Sequence, residues 1–446
     1  MIVDKEKAKL RDLLFAMKEE FLHYVWKYNL FTFNTLKTTS NEDLLIIKSG
    51  LHNHNSGPDF LNAHIKIDNQ LWIGNVEIHT NSSDWYVHNH EVDENYDAVI
   101  LHVVWEDDAT IFMKNNKALP TLVLKNIVNK NALKNYRDLF STHKRWIPCE
   151  HDIQLIDDFT FSNWKERLYF ERLERKSNEI NMLLKTENND FEAVLFQLLA
   201  KNFGLKVNGD SFLRLAKAIG FSVVRKVGFD EVKLTALFFG QAGFLEEDIE
   251  DEYHQQLKIE YNYLKHKFNL QSISKNQFSF FRMRPNNFPT IRIAQLVSLF
   301  CLHQNLFSKL METKTLKGFY ELFVVEVNPF WKRHYTFEKE SKSSPKKLTK
   351  SFVDLLLINT VFPLKFLYQK SRSEVDESEY LDLLVKIKPE KNNIILKFST
   401  LKISVKNAFE TQALLELKNN YCTPKRCLEC AIGKKVLNKN QLFFRI

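Results

Sequence analysis

The sequence predicts an N-terminal α/β domain followed by a larger, mainly α-helical domain. Three observations predict it. Short β-branched and aromatic runs bounded by Gly, Pro, Asn and Asp crowd residues 44–107. From about residue 128 the apolar residues recur at the three- and four-residue spacing of helices. The chain has 446 residues, and single cores stop growing at about 250–300. The expected domains are residues 1–127 and 128–446.

In order, residues 7–29 place Leu10, Leu13, Leu14, Met17, Phe21, Tyr24 and Val25 on one stripe, which predicts an amphipathic helix carrying Glu19 and Glu20. Four strands are expected in LLIIKSG (44–50), FLNAHIKID (60–68), QLWIGNVEIH (70–79) and AVILHVVWED (98–107). Asp68-Asn69-Gln70 suits a hairpin connection, which brings Asp59 and Glu77 onto adjacent strands. TIFMKN and LPTLVL are possible edge strands up to about residue 125. Among the helices beyond, Asp190 and Asp210 stand where N-caps belong, and Gly204 and Gly220 where helices stop. Gly240-Gln241-Ala242-Gly243 reads as a helix break that permits close packing. The lysine-rich EKESKSSPKKLTKS (338–351) reads as a linker or exposed loop.

Formal charge is +8, from 63 basic and 55 acidic side chains, a balance that suits either an ordinary surface or a local nucleic-acid-binding face. The N-terminus has no apolar run after its charges, and no run of about 18 uncharged apolar residues follows. A cytoplasmic protein without a membrane partner is therefore expected. Five cysteines, an odd number, argue against a disulfide framework. With 37 Phe against 11 Gly, large rings are expected to fill the cores.

The stretch from Leu51 to Val104 holds seven of the fourteen histidines, His52, His54, His64, His79, His88, His90 and His102, beside a Gly-Pro-Asp and a Glu-Ile-His. Two carboxylates on paired strands, Asp59 and Glu77, supply the hard oxygen ligands that a divalent cation needs. Such a cation can polarise a phosphodiester and acidify an attacking water. His64 and His102, inside strands, are read as packing residues or as ligands. His52 and His54 precede the Gly-Pro turn and can be ligands, loop surface or substrate contacts. Asp84, Trp85, His88, His90 and Tyr96 follow the third strand and are candidates to line a cleft. His88 and His90 share one face of a strand, whereas in a helix only one of them points inward.

The order helix, three strands, short helix, strand, together with Pro58-Asp59 and Glu77-x-His79, resembles the PD-(D/E)XK nuclease superfamily with its restriction-endonuclease-like mixed sheet. The resemblance implies Asp59 and Glu77 as catalytic metal ligands, the Ile78 carbonyl completing the shell, and Glu20, or else Glu19, as an acid from the first helix. His79 stands in the place of the superfamily's lysine, and an imidazole is not the fixed cation that a lysine is. The implied activity is magnesium- or manganese-dependent hydrolysis of DNA, with RNA as the alternative. A catalytically inactive nucleic-acid- or protein-binding module is the competing reading. A histidine-rich zinc hydrolase is a third, without an HExxH signature. GPDF, GNVEIH, SSDWYVHNH, DENYDAVILHVV, RLERK, GQAG, RPNNFPTIR and the terminal cysteine segment also resemble an uncharacterised bacterial family of unknown function, over nearly the entire chain.

Near the C-terminus Cys422, Cys427 and Cys430 form C-x4-C-x2-C, and Cys149, or alternatively His151, is the natural fourth ligand. Structural zinc, an iron–sulfur cluster and unliganded thiols all suit this spacing. Either metal would pin the tail to the start of the helical domain. Cys301 reads as core. Arg282, Arg284 and Arg292 surround a Pro-rich helix entry, where arginines suit phosphate contacts; salt bridges to the acidic run 246–252 are the alternative.

Overall fold

The computed structural model describes residues 17–32, 36–140 and 145–439. The first turns of the expected N-terminal helix lie outside them. The chain divides into two compact units, which are described separately. The first holds the described residues up to Lys165, Leu396–Ile403 and those from Leu415 onward, and the second holds Glu166–Ile395 and Ser404–Leu414.

In the first unit, helix α1 (Glu19–Lys27) buries Phe21, Leu22, Tyr24, Val25 and Trp26. Strands β1 (Leu36–Lys37), β2 (Asp43–Lys48), β3 (Leu51–His52), β4 (Phe60–Ile67), β5 (Gln70–Asn81), β6 (Val99–Glu106) and β7 (Thr121–Val123) form one mixed sheet in the order β1-β2-β4-β5-β6-β7, with β3 paired to β4. The β2, β4 and β5 pairings are antiparallel, while β5–β6 and β6–β7 are parallel. The β4–β5 turn is tight because Asp68 takes the left-handed conformation.

In β4 the apolar residues do not alternate throughout. Phe60 and Ala63 are both fully buried, three positions apart, because the pairing register slips between them and Asn62 takes a left-handed φ of 55°. This bulge keeps Ile65 and Ile67 inward and still leaves Asp59 beside Glu77. The polar stretch after β5 forms one helical turn, α2 (Asp84–Val87), before the chain returns through β6.

The expected boundary near residue 127 is corrected. Helix α3 (Lys130–Phe140) belongs to the first unit: Tyr136 stacks on Phe21 at 4.0 Å, and the buried Asn135 side chain donates to the Leu437 carbonyl at 2.9 Å. Asn438 reaches the Tyr24 hydroxyl at 3.0 Å. The cysteine-bearing C-terminal segment is therefore part of the α/β unit, not of the helical one. Helical spacing marks a helix but does not say what its apolar face meets.

The second unit is helical, with a continuous core filled by rings such as Phe196, Phe203, Phe212, Phe238 and Trp331. Asp190 caps Phe191–Phe203, and Gly220 ends Leu205–Ile219 with φ 74°. Asp210 is not a cap; it lies inside that second helix. Gly240 lies against Tyr261, since a Cβ there would fall 2.1 Å from the ring. The lysine-rich segment is a mostly exposed loop and not a linker: it lies within this unit, where Lys346 alone is buried, over the Tyr335 ring at 3.6 Å, and its carbonyl accepts from Gln295. Lys350–Ser371 is the one helical stretch among the described residues long and apolar enough to cross a membrane, and 67% of its most apolar window is buried within the protein.

Candidate metal centre

The site is built on the meeting of α1, β4, β5 and the loop after α2. Asp59 precedes β4 opposite Glu77 of β5. Its backbone N–H donates to the Glu77 carboxylate at 3.1 Å, and its own carboxylate accepts the Ile78 N–H at 3.0 Å. From α1, His23 Nε2 lies 3.2 Å from the Asp59 carboxylate. Glu19, one helical turn before His23, is held above the usual carboxylate range by burial and then by the Asp59 charge. Glu19 therefore faces the site. Glu20, the first choice for this acid, is exposed and its charge is felt by Tyr136, because adjacent helical residues point about 100° apart.

Glu77 is 5% exposed and His79 2%. Burial in the first place, and the Asp59 charge, raise the Glu77 pKa against the opposing pull of His90. Glu77 Oε1 lies 3.4 Å from His79 Nε2 and 3.3 Å from His90 Nε2. His79 Nε2 is also 3.1 Å from His88 Nδ1, and its Nδ1 is 2.9 Å from His102 Nε2. Ligand atoms of His79, His88 and His90 all lie within 4.8 Å of one another. Burial, then the neighbouring rings His102, His90 and His88, push the His79 pKa down to about 2; burial and His90 push His102 to about 3. Both rings are neutral at pH 7, and a neutral imidazole is the form that ligates metals.

Neither expectation for the His88-Asn89-His90 spacing holds. His88 ends α2, Asn89 takes the left-handed conformation with φ 59°, and the chain folds back so that both rings reach His79. His90 is further fixed by Tyr96, stacked on it at 3.7 Å. Trp85 does not face substrate. It is 1% exposed and packs edge-on against His90 and His102 as part of the site's floor.

His52 stacks on Phe60 at 4.8 Å and lies 5.4 Å from His23, while His54 is exposed beside it. Burial, then His23 and His54, lower the His52 pKa to about 4. His64 is half-buried in β4 and sits across from Ile73. The arginines divide. Arg284 is exposed in the second unit. Arg292 is not a surface contact: it is 7% exposed, 3.7 Å over the Phe352 ring, and hydrogen-bonded to Gln295 and Asn287.

Sequence reasoning missed His23. The available signal was its spacing, four residues after Glu19 on the same helix face.

Chemically, two or three carboxylates and up to four imidazoles converge at a partly buried site. The lone pairs of His79 Nε2, His88 Nδ1, His90 Nε2 and Glu77 Oε1 point at one small region. Such an arrangement requires shared protons or a cation, and the mixed nitrogen and oxygen donor set fits a divalent metal.

No curated protein and no solved structure matches the chain. Residues 19–393 match the family described as Protein of unknown function (DUF2851), a span that contains every residue of this centre. By that match over most of its length, the chain belongs to the DUF2851 family.

Proposed function

We propose that the protein is a divalent-metal-dependent hydrolase of phosphodiester bonds, acting on DNA or RNA. One observation carries the reading: Asp59, at the entry to β4, lies beside Glu77 of the antiparallel β5, with Glu19 of α1 beside Asp59, in a helix–sheet order where β6 runs parallel to β5. This is the order of a restriction-endonuclease-like core, and it supports the resemblance read from Pro58-Asp59 and Glu77-x-His79. In this reading Asp59, Glu77 and the Ile78 carbonyl hold the cation. The cation supplies charge to a phosphoryl oxygen and lowers the pKa of water. His79, neutral and buried, takes the lysine position as a metal ligand or water-orienting group instead of as a phosphate-binding cation. His23 positions Asp59.

The test is cleavage of labelled single-stranded, double-stranded and branched DNA and RNA with magnesium, manganese or zinc. Cleavage that disappears in both Asp59→Ala and Glu77→Ala is expected. Tight, salt-sensitive nucleic-acid binding without cleavage under any metal would instead identify a binding module on this fold.

A second reading rests on the three-histidine group. His79, His88 and His90 with Glu77 also suit zinc, so the same centre serves a zinc hydrolase of another substrate class. Zinc retained by wild type and lost in His88→Ala, with no nuclease activity, would favour it.

A further inference from the structure

The first unit contains a second cluster of metal-capable side chains, apart from the acidic and histidine centre. Cys149, Cys422, Cys427 and Cys430 are 5–8% exposed and all are free thiols. Three come from one short segment; Cys149 comes from a turn far earlier in the chain, where the Ile153 N–H closes onto its carbonyl at 2.9 Å. The stretch after Cys149 meets the C-terminal segment, with Lys439 Nζ 2.9 Å from the Asp152 carboxylate and Lys435 Nζ 3.2 Å from that of Asp157, and Cys149 feels the charge of all three thiols of that segment.

We propose that these four cysteines bind a soft metal centre through four thiolates, and that this centre anchors the C-terminal segment within the first unit.

Two further observations support it. The segment is shaped around its cysteines: Leu417–Cys422 is a π-helical turn ending on Cys422, and Lys425 takes a left-handed φ of 60°. Such wide turns are rare and frequent at functional sites. The Cys430 N–H then donates to the Cys427 carbonyl at 3.3 Å. Next, the helix Ala431–Leu437 lies so close to the Cys427 backbone that a Cβ on Gly433 would fall 2.1 Å from its carbonyl oxygen. Four thiols buried together are a donor set for a soft cation, and a bound metal deprotonates its thiols outright.

His151 is exposed and is not needed as fourth ligand. Cys301 lies in the second unit, half-buried against its core. Thiolate donors select zinc, or iron with inorganic sulfide, over magnesium and calcium.

The test uses the full chain, without a metal-binding tag, purified anaerobically without chelator. Metal content, acid-labile sulfide and the visible spectrum are measured. About one colourless zinc per chain, or iron with matching sulfide and a visible absorption band, is expected; either supports the centre, and the two results separate the sources. Cys427→Ser should lower that metal to below about one tenth of wild type, whereas Cys301→Ser and Asp59→Ala should retain it. Should Cys427→Ser fail to fold, wild type still decides: a thiol-specific mercurial should release the metal in step with modification of four thiols. Metal-free wild type, or metal retained in full by Cys427→Ser, overturns the proposal.

Discussion

Asp59 and Glu77 hold each other through the backbone. The Asp59 N–H donates to the Glu77 carboxylate, and the Asp59 carboxylate accepts from Ile78, the residue after Glu77. Each acid thereby keeps one oxygen fixed, and the other oxygen of Glu77 faces His79 and His90. The clamp depends on the β4 bulge, because the register of Phe60 with Val76 sets Asp59 opposite Glu77.

Asp59→Asn separates the structural role of that carboxylate from its chemical one. An amide oxygen still accepts the Ile78 N–H, so the fold should survive, with unfolding free energy within about 1 kcal/mol of wild type. The charge that pairs with His23, and that would hold a cation in the proposed reading, is gone. Divalent-ion affinity should fall by more than about 100-fold, beyond what loss of an outer-shell partner causes. Calorimetric titration with manganese and urea unfolding measure the two. Unchanged affinity would mean that Asp59 is not a ligand.

Much of this was legible in the sequence. The four strands, the tight turn at Asp68 and the pairing of Asp59 with Glu77 follow from β-branched and aromatic runs bounded by turn residues, which are local signals. Two things were not legible. Which neighbouring acid of α1 faces the sheet depends on the docking angle of the helix, so Glu20 was preferred and Glu19 is the one beside Asp59. The reach of both His88 and His90 to His79 depends on one left-handed residue, Asn89, whose conformation spacing rules do not anticipate. The attachment of the C-terminal segment to the first unit is likewise a contact across some three hundred residues, between Asn135 and Leu437, that no window of sequence contains.

The buried imidazoles make the unit acid-sensitive. His79 and His102 have folded pKa values near 2 and 3 against an ordinary 6.5. Above pH 6.5 both rings are neutral whether the chain is folded or not, and they contribute no slope. Below it the unfolded chain takes up protons that the folded chain refuses, so stability falls as pH drops from 6.5 toward 3, each ring adding at most about 1.4 kcal/mol per pH unit. His102→Gln removes one of them. At pH 8 it should be less stable than wild type by about 1–3 kcal/mol, for the lost contact to His79 Nδ1. At pH 5 the gap should narrow or close. Urea unfolding at both pH values measures this, and a gap that widens on acidification would show that His102 is charged in the folded state.

Gly74 leaves no room for a side chain at the β5–β6 pairing. It lies in β5 where that strand meets β6, and a Cβ there would fall 2.4 Å from Ile100 Cγ2 and 2.6 Å from the Ala98 carbonyl oxygen. The Ile100 side chain can rotate away, but Ala98 cannot, because its carbonyl accepts the Asn75 N–H at 2.8 Å and so opens the parallel pairing. That pairing, with its irregular step between Asn75 and Val76, is what sets His102 beside Glu77 and within reach of His79. Gly74→Ala should therefore cost about 1–3 kcal/mol as overpacking and also weaken metal binding, although residue 74 touches no ligand. Leu71→Ala, at an exposed position of the same strand, should stay within about 0.5 kcal/mol and leave metal affinity intact. If Gly74→Ala loses stability but binds metal as wild type does, the β5–β6 register is not what assembles the histidines, and the loop after α2 must hold them alone.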